Sequence, residues 1–372
     1  MILIKNAKIP VPEKRIFTGD LLFDNKKGEI VSIASKTEYE GAEKIDAKGD
    51  YLLPLFTDLY TRVTPPDSLE STALCARWGG YGTLLTLSEE NKTDGYEGFY
   101  SPSELNVTVL ESENTLDSRQ LRALMKKTAD EEKLLIASPQ RDPAYPESCL
   151  AEGRTATLLK LPCEPSFIEA CSVYKYVSLA KETGCRLHIR GISTQESVNI
   201  IKNAKKEKIK VSCSTSPHYF SFTDEDTVFI GANSKVYPPL RSTKDKEGII
   251  CGIADGTIDC IDSDHTPTED KGFDIRRAPY GAIGLQTVFP ALCTYLLMPG
   301  YIDVFRLCEL LCANPSKILG FKRPGYLTEG KASFVRASVT EDFILTKSNL
   351  ISNAKNSPYV GMSLCGNIKN VF

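Results

Sequence analysis

The sequence predicts an α/β protein: a (β/α)8, TIM-like barrel carrying a small β-sandwich domain built from both termini. Three observations carry this prediction. The middle of the chain repeats strand–helix units with their own start and stop signals. The first and last fifty residues show short apolar or alternating runs between turns instead. The length, 372 residues, exceeds one ordinary domain but suits a barrel with an attachment.

At the amino-terminal end, Ile2–Ile4, Asp20–Phe23 and Ile30–Ala34 are strand candidates separated by Lys-, Gly- and Asn-rich turns. At the other end, Ala332–Val339, Phe343–Thr346 and Asn367–Phe372 play the same part. Residues 1–53 and 325–372 are therefore expected to form the small β domain, and residues 54–324 the barrel. Within the barrel, Ser166-Phe167-Ile168-Glu169 reads as a capping box. Ala170, Val173, Val177 and Ala180 then share one helical face, and Thr183-Gly184 supplies a stop. Strand Cys185–Ile189 follows, Ser193-Thr194-Gln195-Glu196 repeats the cap, and Val198, Ile201 and Ala204 continue the helix into strand Ile209–Cys213. A third unit runs from Ser242-Thr243-Lys244-Asp245 through Ile249, Ile250 and Ile253 to strand Thr257–Ile261. Residues just past such strands line the catalytic face of a barrel, so chemistry is sought there.

Composition excludes several classes. Hydrophobic residues are 41% and charged residues 25%, a globular balance, and no apolar run approaches the ~20 residues of a membrane span. With 45 basic and 48 acidic residues the net charge is −3 and no basic block stands out, which argues against nucleic acid and membrane partners. Twelve cysteines lie dispersed without a CxxC, and the opening MILIKNAKIPVPEKR lacks an apolar secretion core. Reduced, buried cysteines and a cytoplasmic location are expected. Cys308 and Cys312 share a helical face, and core packing is the expectation for them. Only three histidines occur, His188, His218 and His265, so a centre of four imidazoles is arithmetically excluded.

A series of strings gives the chain its family likeness. These are Gly49-Asp50-Tyr51-Leu52-Leu53-Pro54-Leu55-Phe56-Thr57-Asp58-Leu59, Gly79-Gly80-Tyr81-Gly82-Thr83, and Leu187-His188-Ile189-Arg190-Gly191-Ile192-Ser193-Thr194. Ser216-Pro217-His218-Tyr219, Lys235-Val236-Tyr237-Pro238-Pro239-Leu240-Arg241-Ser242 and Ser263-Asp264-His265-Thr266-Pro267 follow, with Ala278-Pro279-Tyr280-Gly281 and Asn314-Pro315-Ser316-Lys317 after them. In order and spacing they resemble dihydroorotase and its cyclic-amidohydrolase relatives over nearly the whole chain. The resemblance implies a barrel of the amidohydrolase type and a hydrolase that opens or closes a cyclic amide in pyrimidine biosynthesis. Zinc would lower the pKa of its attacking water.

The ligands that the resemblance implies are largely replaced. Its H-x-H pair falls on Tyr60 and Arg62, and a guanidinium has no acceptor and repels a dication. Its third histidine falls on Ser138 and its fourth on Gly191. The bridging acid falls near Glu111 or Glu113, where solvated loop carboxylates are the expectation. His188 is expected to be a hydrogen-bonded core residue and His218 part of a scaffold string. Asp264 matches the late aspartate, a proton acceptor in the family, and is expected to pair with Arg62 rather than retain catalysis. His265 falls on the substrate side, and Arg62, Tyr60, Glu89, Tyr237 and Gly281 complete the expected pocket. The family's substrate arginine has become Thr64. No metal or other cofactor is therefore expected.

Three functions compete. The first is a non-catalytic dihydroorotase homologue acting as a structural or regulatory partner of aspartate carbamoyltransferase or of an active dihydroorotase, itself a homo-oligomer. The second is a repurposed, metal-independent enzyme with Asp264 as general base and His265 and Arg62 holding an anion. The third is an active cyclic amide hydrolase whose single metal has unusual ligands.

Overall fold

The computed structural model describes residues 1–87 and 98–372. Strands from both ends of the chain make one eight-stranded sheet. Its order runs Gly330–Lys331, Glu29–Ala34, Arg15–Asp24, Ile2–Val11, Tyr51–Pro54, Phe334–Ile344 and Ser363–Val371, with Glu43–Asp46 parallel to Ile2–Val11. Side-chain alternation assigns its faces. Leu52 and Phe334 join Ile4, Ile9, Leu21 and Phe23 in a local core, whereas their neighbours Leu53 and Val335 join the barrel core with Leu364 and Ile368. The expected strands Ala332–Val339 and Phe343–Thr346 are one strand, Phe334–Ile344. Its pairing with Ser363–Val371 shifts register between Ser338 and Asp342, a bulge that bends the strand without ending it. Gly366 lets the last strand approach the barrel helices, since a Cβ there would lie 2.7 Å from the Cys293 sulfur.

The central strands are parallel, as repeated strand–helix units require. Phe56–Thr61, Tyr81–Thr86 and Phe99–Tyr100 form one ladder. Val107–Leu110, Leu134–Ala137, Arg186–Ile189, Val211–Thr215 and Cys260–Ile261 form another. Backbone bridges from Thr61 to His265 and from His265 to Ala282 connect the first strand with the end of the second ladder. Among the described residues the barrel strands thus pair as two ladder segments rather than one uninterrupted cylinder.

The helices follow the apolar stripes read from sequence. Phe167–Thr183 buries Ala170, Val173, Val177 and Ala180 and ends at Gly184, whose φ is 71°. Thr194 caps Gln195–Lys206 by accepting from the Ser197 amide, and Ser242 caps Thr243–Ala254 by accepting from Asp245. Ser166 makes no capping hydrogen bond, contrary to its capping-box pattern, because its backbone is helical (φ −64°, ψ −24°) instead of the extended form a cap needs. Strand Thr257–Ile261 shortens to Cys260–Ile261. Side chains take its leading carbonyls: Lys205 donates to Thr257, Arg306 to Ile258 and Asn314 to Asp259.

Candidate functional site

Register places the site residues side by side. Ala137 pairs with Leu110 on one flank and Ile189 on the other, so Glu111, Ser138 and Arg190 emerge together where three parallel strands end. Backbone bonds from Ser138 to Leu110 (2.9 Å) and from Arg190 to Ala137 (3.0 Å) continue that alignment. Tyr60 and Arg62 come from the end of the first strand, which is tied to the Ser263–Asp264 turn by Asp58. The Asp58 carboxylate accepts from the Ser263 amide and hydroxyl, each at 2.7 Å, and from Thr61 at 2.5 Å. Asp264 itself has φ of 47°, a left-handed conformation that aspartate tolerates better than most residues.

These side chains form a connected ionic network. Arg190, only 6% exposed, donates to Ser138 Oγ at 2.9 Å and pairs with Asp264. Its guanidinium carbon lies 3.3 Å from the centroid of the Tyr60 ring, a close cation–π stack. The Tyr60 hydroxyl accepts from Arg62 Nε at 2.6 Å and donates to Glu111 at 3.1 Å, and Arg62 pairs with Glu111. Glu113 bridges Arg62 (3.6 Å) and Arg141 (3.3 Å). Arg141 then stacks on Tyr237 and Tyr280, 4.3 and 4.2 Å from their centroids. Three arginines and three carboxylates alternate across the barrel mouth.

This arrangement corrects several expectations. Asp264 pairs with Arg190 and not with Arg62, because Arg190 rises from the centre of the sheet while Arg62 is turned aside by Tyr60 and Glu111. Glu111, only 23% exposed, is a partner of Arg62 rather than a solvated carboxylate, whereas Glu113 is a solvated turn carboxylate that also pairs with Arg62 and Arg141. His218 belongs to the site as well as the scaffold, with Nε2 3.8 Å from Asp264. His265 is turned from the opening: it is buried, takes the Gly284 amide on Nδ1 at 3.2 Å, and places Nε2 3.5 Å from Asp67. Gly281 is buried and spends its amide on the Lys235 carbonyl, so it offers nothing to a ligand. Tyr60 and Tyr237 lie at the mouth as expected, Thr64 bonds the Pro267 carbonyl, and Glu89 lies outside the described residues. His188 is a core residue, its nitrogens 2.9 and 3.1 Å from the hydroxyls of Ser212 and Ser214.

Arg190 is the residue that sequence reasoning missed. Its signal was present: an arginine at the end of an apolar barrel strand is rarely buried without a partner. Electrostatics agrees with its role. Burial disfavours its charge, yet Asp264, Tyr60, Asp262 and Tyr219 together outweigh that and raise its pKa. Burial pushes Asp264 up to about 6 against the pull of Arg190, so the carboxylate stays ionised at pH 7. Burial, reinforced by Arg190, lowers His218 to about 3 and keeps it neutral. Burial raises Asp58 to about 7.

The residues present do not fit a divalent cation. Tyr60, Ser138 and Asp264 converge on a guanidinium, Gly191 brings no donor, and among the described residues no three His, Cys, Asp or Glu side chains gather as a metal site. Behind the mouth lies a second buried network. Glu169 accepts from the amides of Ser193 and Thr194 and the Thr194 hydroxyl, each at 3.0 Å, and from the Ser193 hydroxyl. Arg241 sits 3.4 Å from both Glu169 and Glu164, and Glu164 accepts from Ser148 at 2.8 Å.

No protein-family profile matches the chain. The dihydroorotase of Elusimicrobium minutum is 30% identical over the whole chain and 95% of its own length. That of Caldicellulosiruptor saccharolyticus is 30% identical over the whole chain and 96% of its length. Among solved structures, the dihydropyrimidinase of Brevibacillus agri superposes with a TM-score of 0.83 at 18% identity, covering the whole chain and 93% of that protein. The L-hydantoinase of Arthrobacter aurescens gives 0.83 at 23%, covering the whole chain and 94% of that protein. These likenesses share one fold, a TIM-like barrel with a β-sandwich domain. Full-length identity to dihydroorotases, on a fold whose strand ends now carry arginines and tyrosines, places this chain in the dihydroorotase family of the cyclic amidohydrolases.

Proposed function

We propose that the chain is a non-catalytic, cytoplasmic member of its family, serving pyrimidine biosynthesis as a structural or regulatory partner of aspartate carbamoyltransferase. One observation carries this reading: the space framed by Tyr60, Ser138 and Asp264 is filled by the Arg190 guanidinium, leaving neither metal donors nor a free carboxylate. The scaffold around it remains intact, which suits a barrel used as an assembly surface. A homo-oligomer would present that surface in several copies. Among the described residues no helix is long and apolar enough to cross a membrane.

Catalysis by Asp264 as a metal-independent base receives less support. One carboxylate oxygen meets Arg190, the other faces neutral His218, and His265 points away toward Asp67. The test mixes the purified chain with aspartate carbamoyltransferase from the same source, and separately with an active dihydroorotase. Light scattering after gel filtration should report a stable complex, and dihydroorotate hydrolysis by the chain alone should stay at background with or without added zinc. Turnover above background, or no complex with either enzyme, would reject the proposal.

A further inference from the structure

The mouth raises a question that the loss of metal donors does not answer: why Asp264 remains buried and ionised. A carboxylate taken out of water needs a cation close by, and a buried one left alone is strongly destabilising. We propose that the Arg190 guanidinium is a covalently attached cation that takes the place of a metal ion at the strand ends, holding Asp264, Ser138 and Tyr60 together and keeping divalent cations out. The geometry points to this assignment through three contacts from three separate strand ends. Nη2 pairs with Asp264, Nη1 donates to Ser138 at 2.9 Å, and the guanidinium plane covers Tyr60. Asp264 and Arg190 are each less than a tenth exposed, so solvent screens neither. Among the described residues the Nε of Arg190 has no hydrogen-bond partner, so its contacts are made by the two terminal nitrogens and the guanidinium carbon over the Tyr60 ring. Gly191, at φ of 69° and buried with a Cβ position 3.7 Å from Pro238 Cδ, lets the chain turn away directly after Arg190.

The inference stands apart from the choice of protein partner, since it concerns only what fills the mouth. A double-mutant cycle tests it first. Arg190→Met and Asp264→Asn should each lower the thermal midpoint by roughly 10 °C, and the double variant should regain most of that loss. Losses that simply add would overturn the assignment. A metal-binding arm tests exclusion directly. Tyr60→His, Arg62→His and Ser138→His together with native Asp264 supply three imidazoles and a carboxylate, a common zinc set. With Arg190 retained, the protein should hold no zinc after dialysis, by elemental analysis. With Arg190→Ala added, it should hold about one zinc per chain. Zinc bound equally in both backgrounds, or in neither, would count against the proposal. Circular dichroism confirms that each variant folds, and the first cycle decides alone where the histidine variants do not.

Discussion

The two buried ionic networks of this barrel are built on opposite principles. Around Glu169 and Glu164, two carboxylates share one arginine, Arg241, and backbone amides and hydroxyls of Ser193, Thr194 and Ser148 make up the difference. At the mouth, among the described residues, side-chain cations and carboxylates alternate in equal number and pair chiefly with one another. The first network is welded to helix and loop backbone and belongs to the scaffold strings. The second is hung on the ends of long side chains and can change without moving the barrel. A fold can therefore exchange its mouth chemistry while keeping the supports behind it.

Substitutions can break this contrast. Arg241→Met should have the largest effect, because it strands two buried carboxylates; a loss of roughly 3–5 kcal/mol is expected in urea unfolding. A loss near that of a surface residue would mean the amides alone satisfy Glu164 and Glu169. Asp58→Asn probes the tie between first strand and Ser263–Asp264 turn. Burial raises its folded pKa to about 7, above the ordinary carboxylate range, so its contribution is complete below about pH 4 and fades as pH rises toward 7. The asparagine variant should lose that slope, so its stability relative to the native chain should rise by roughly 4 kcal/mol between pH 4 and pH 7, the pH-independent cost of weakened hydrogen bonds cancelling from that difference. Unfolding curves across that range would show parallel slopes if Asp58 were ionised throughout. Arg62→Gln should have the smallest effect. Its pairs with Glu111 and Glu113 are partly exposed, so a change within about 1 kcal/mol is expected, and it should shrink in high salt.

Much of the fold was legible because its signals are local. Apolar stripes such as Val198, Ile201 and Ala204 state which side faces the core, whatever the rest of the chain does. Ser166 misled because the capping box needs two local conditions that fail: its own backbone is helical, and Glu169 is drawn into contacts with residues 24 and 25 positions away. The losses at Tyr60, Arg62, Ser138 and Gly191 were legible too, because flanking strings fix their positions. The replacement was not. Arg190 reaches Asp264 across 74 residues, and Arg62 reaches Glu111 across 49, pairings that only strand register decides. A reading confined to positions where ligands had vanished could not see the neighbour that had moved in.

The alternation of charge at the mouth also bears on traffic. Opposite charges a few ångströms apart cancel at distance, so beyond about one Debye length, ~8 Å at physiological salt, the opening projects little field. Clefts that gather ions from solution do so with charges of one sign, which can raise encounter rates by up to about a thousandfold. This opening has no such reach. The described pairs neither draw in a small anion from afar nor turn it away.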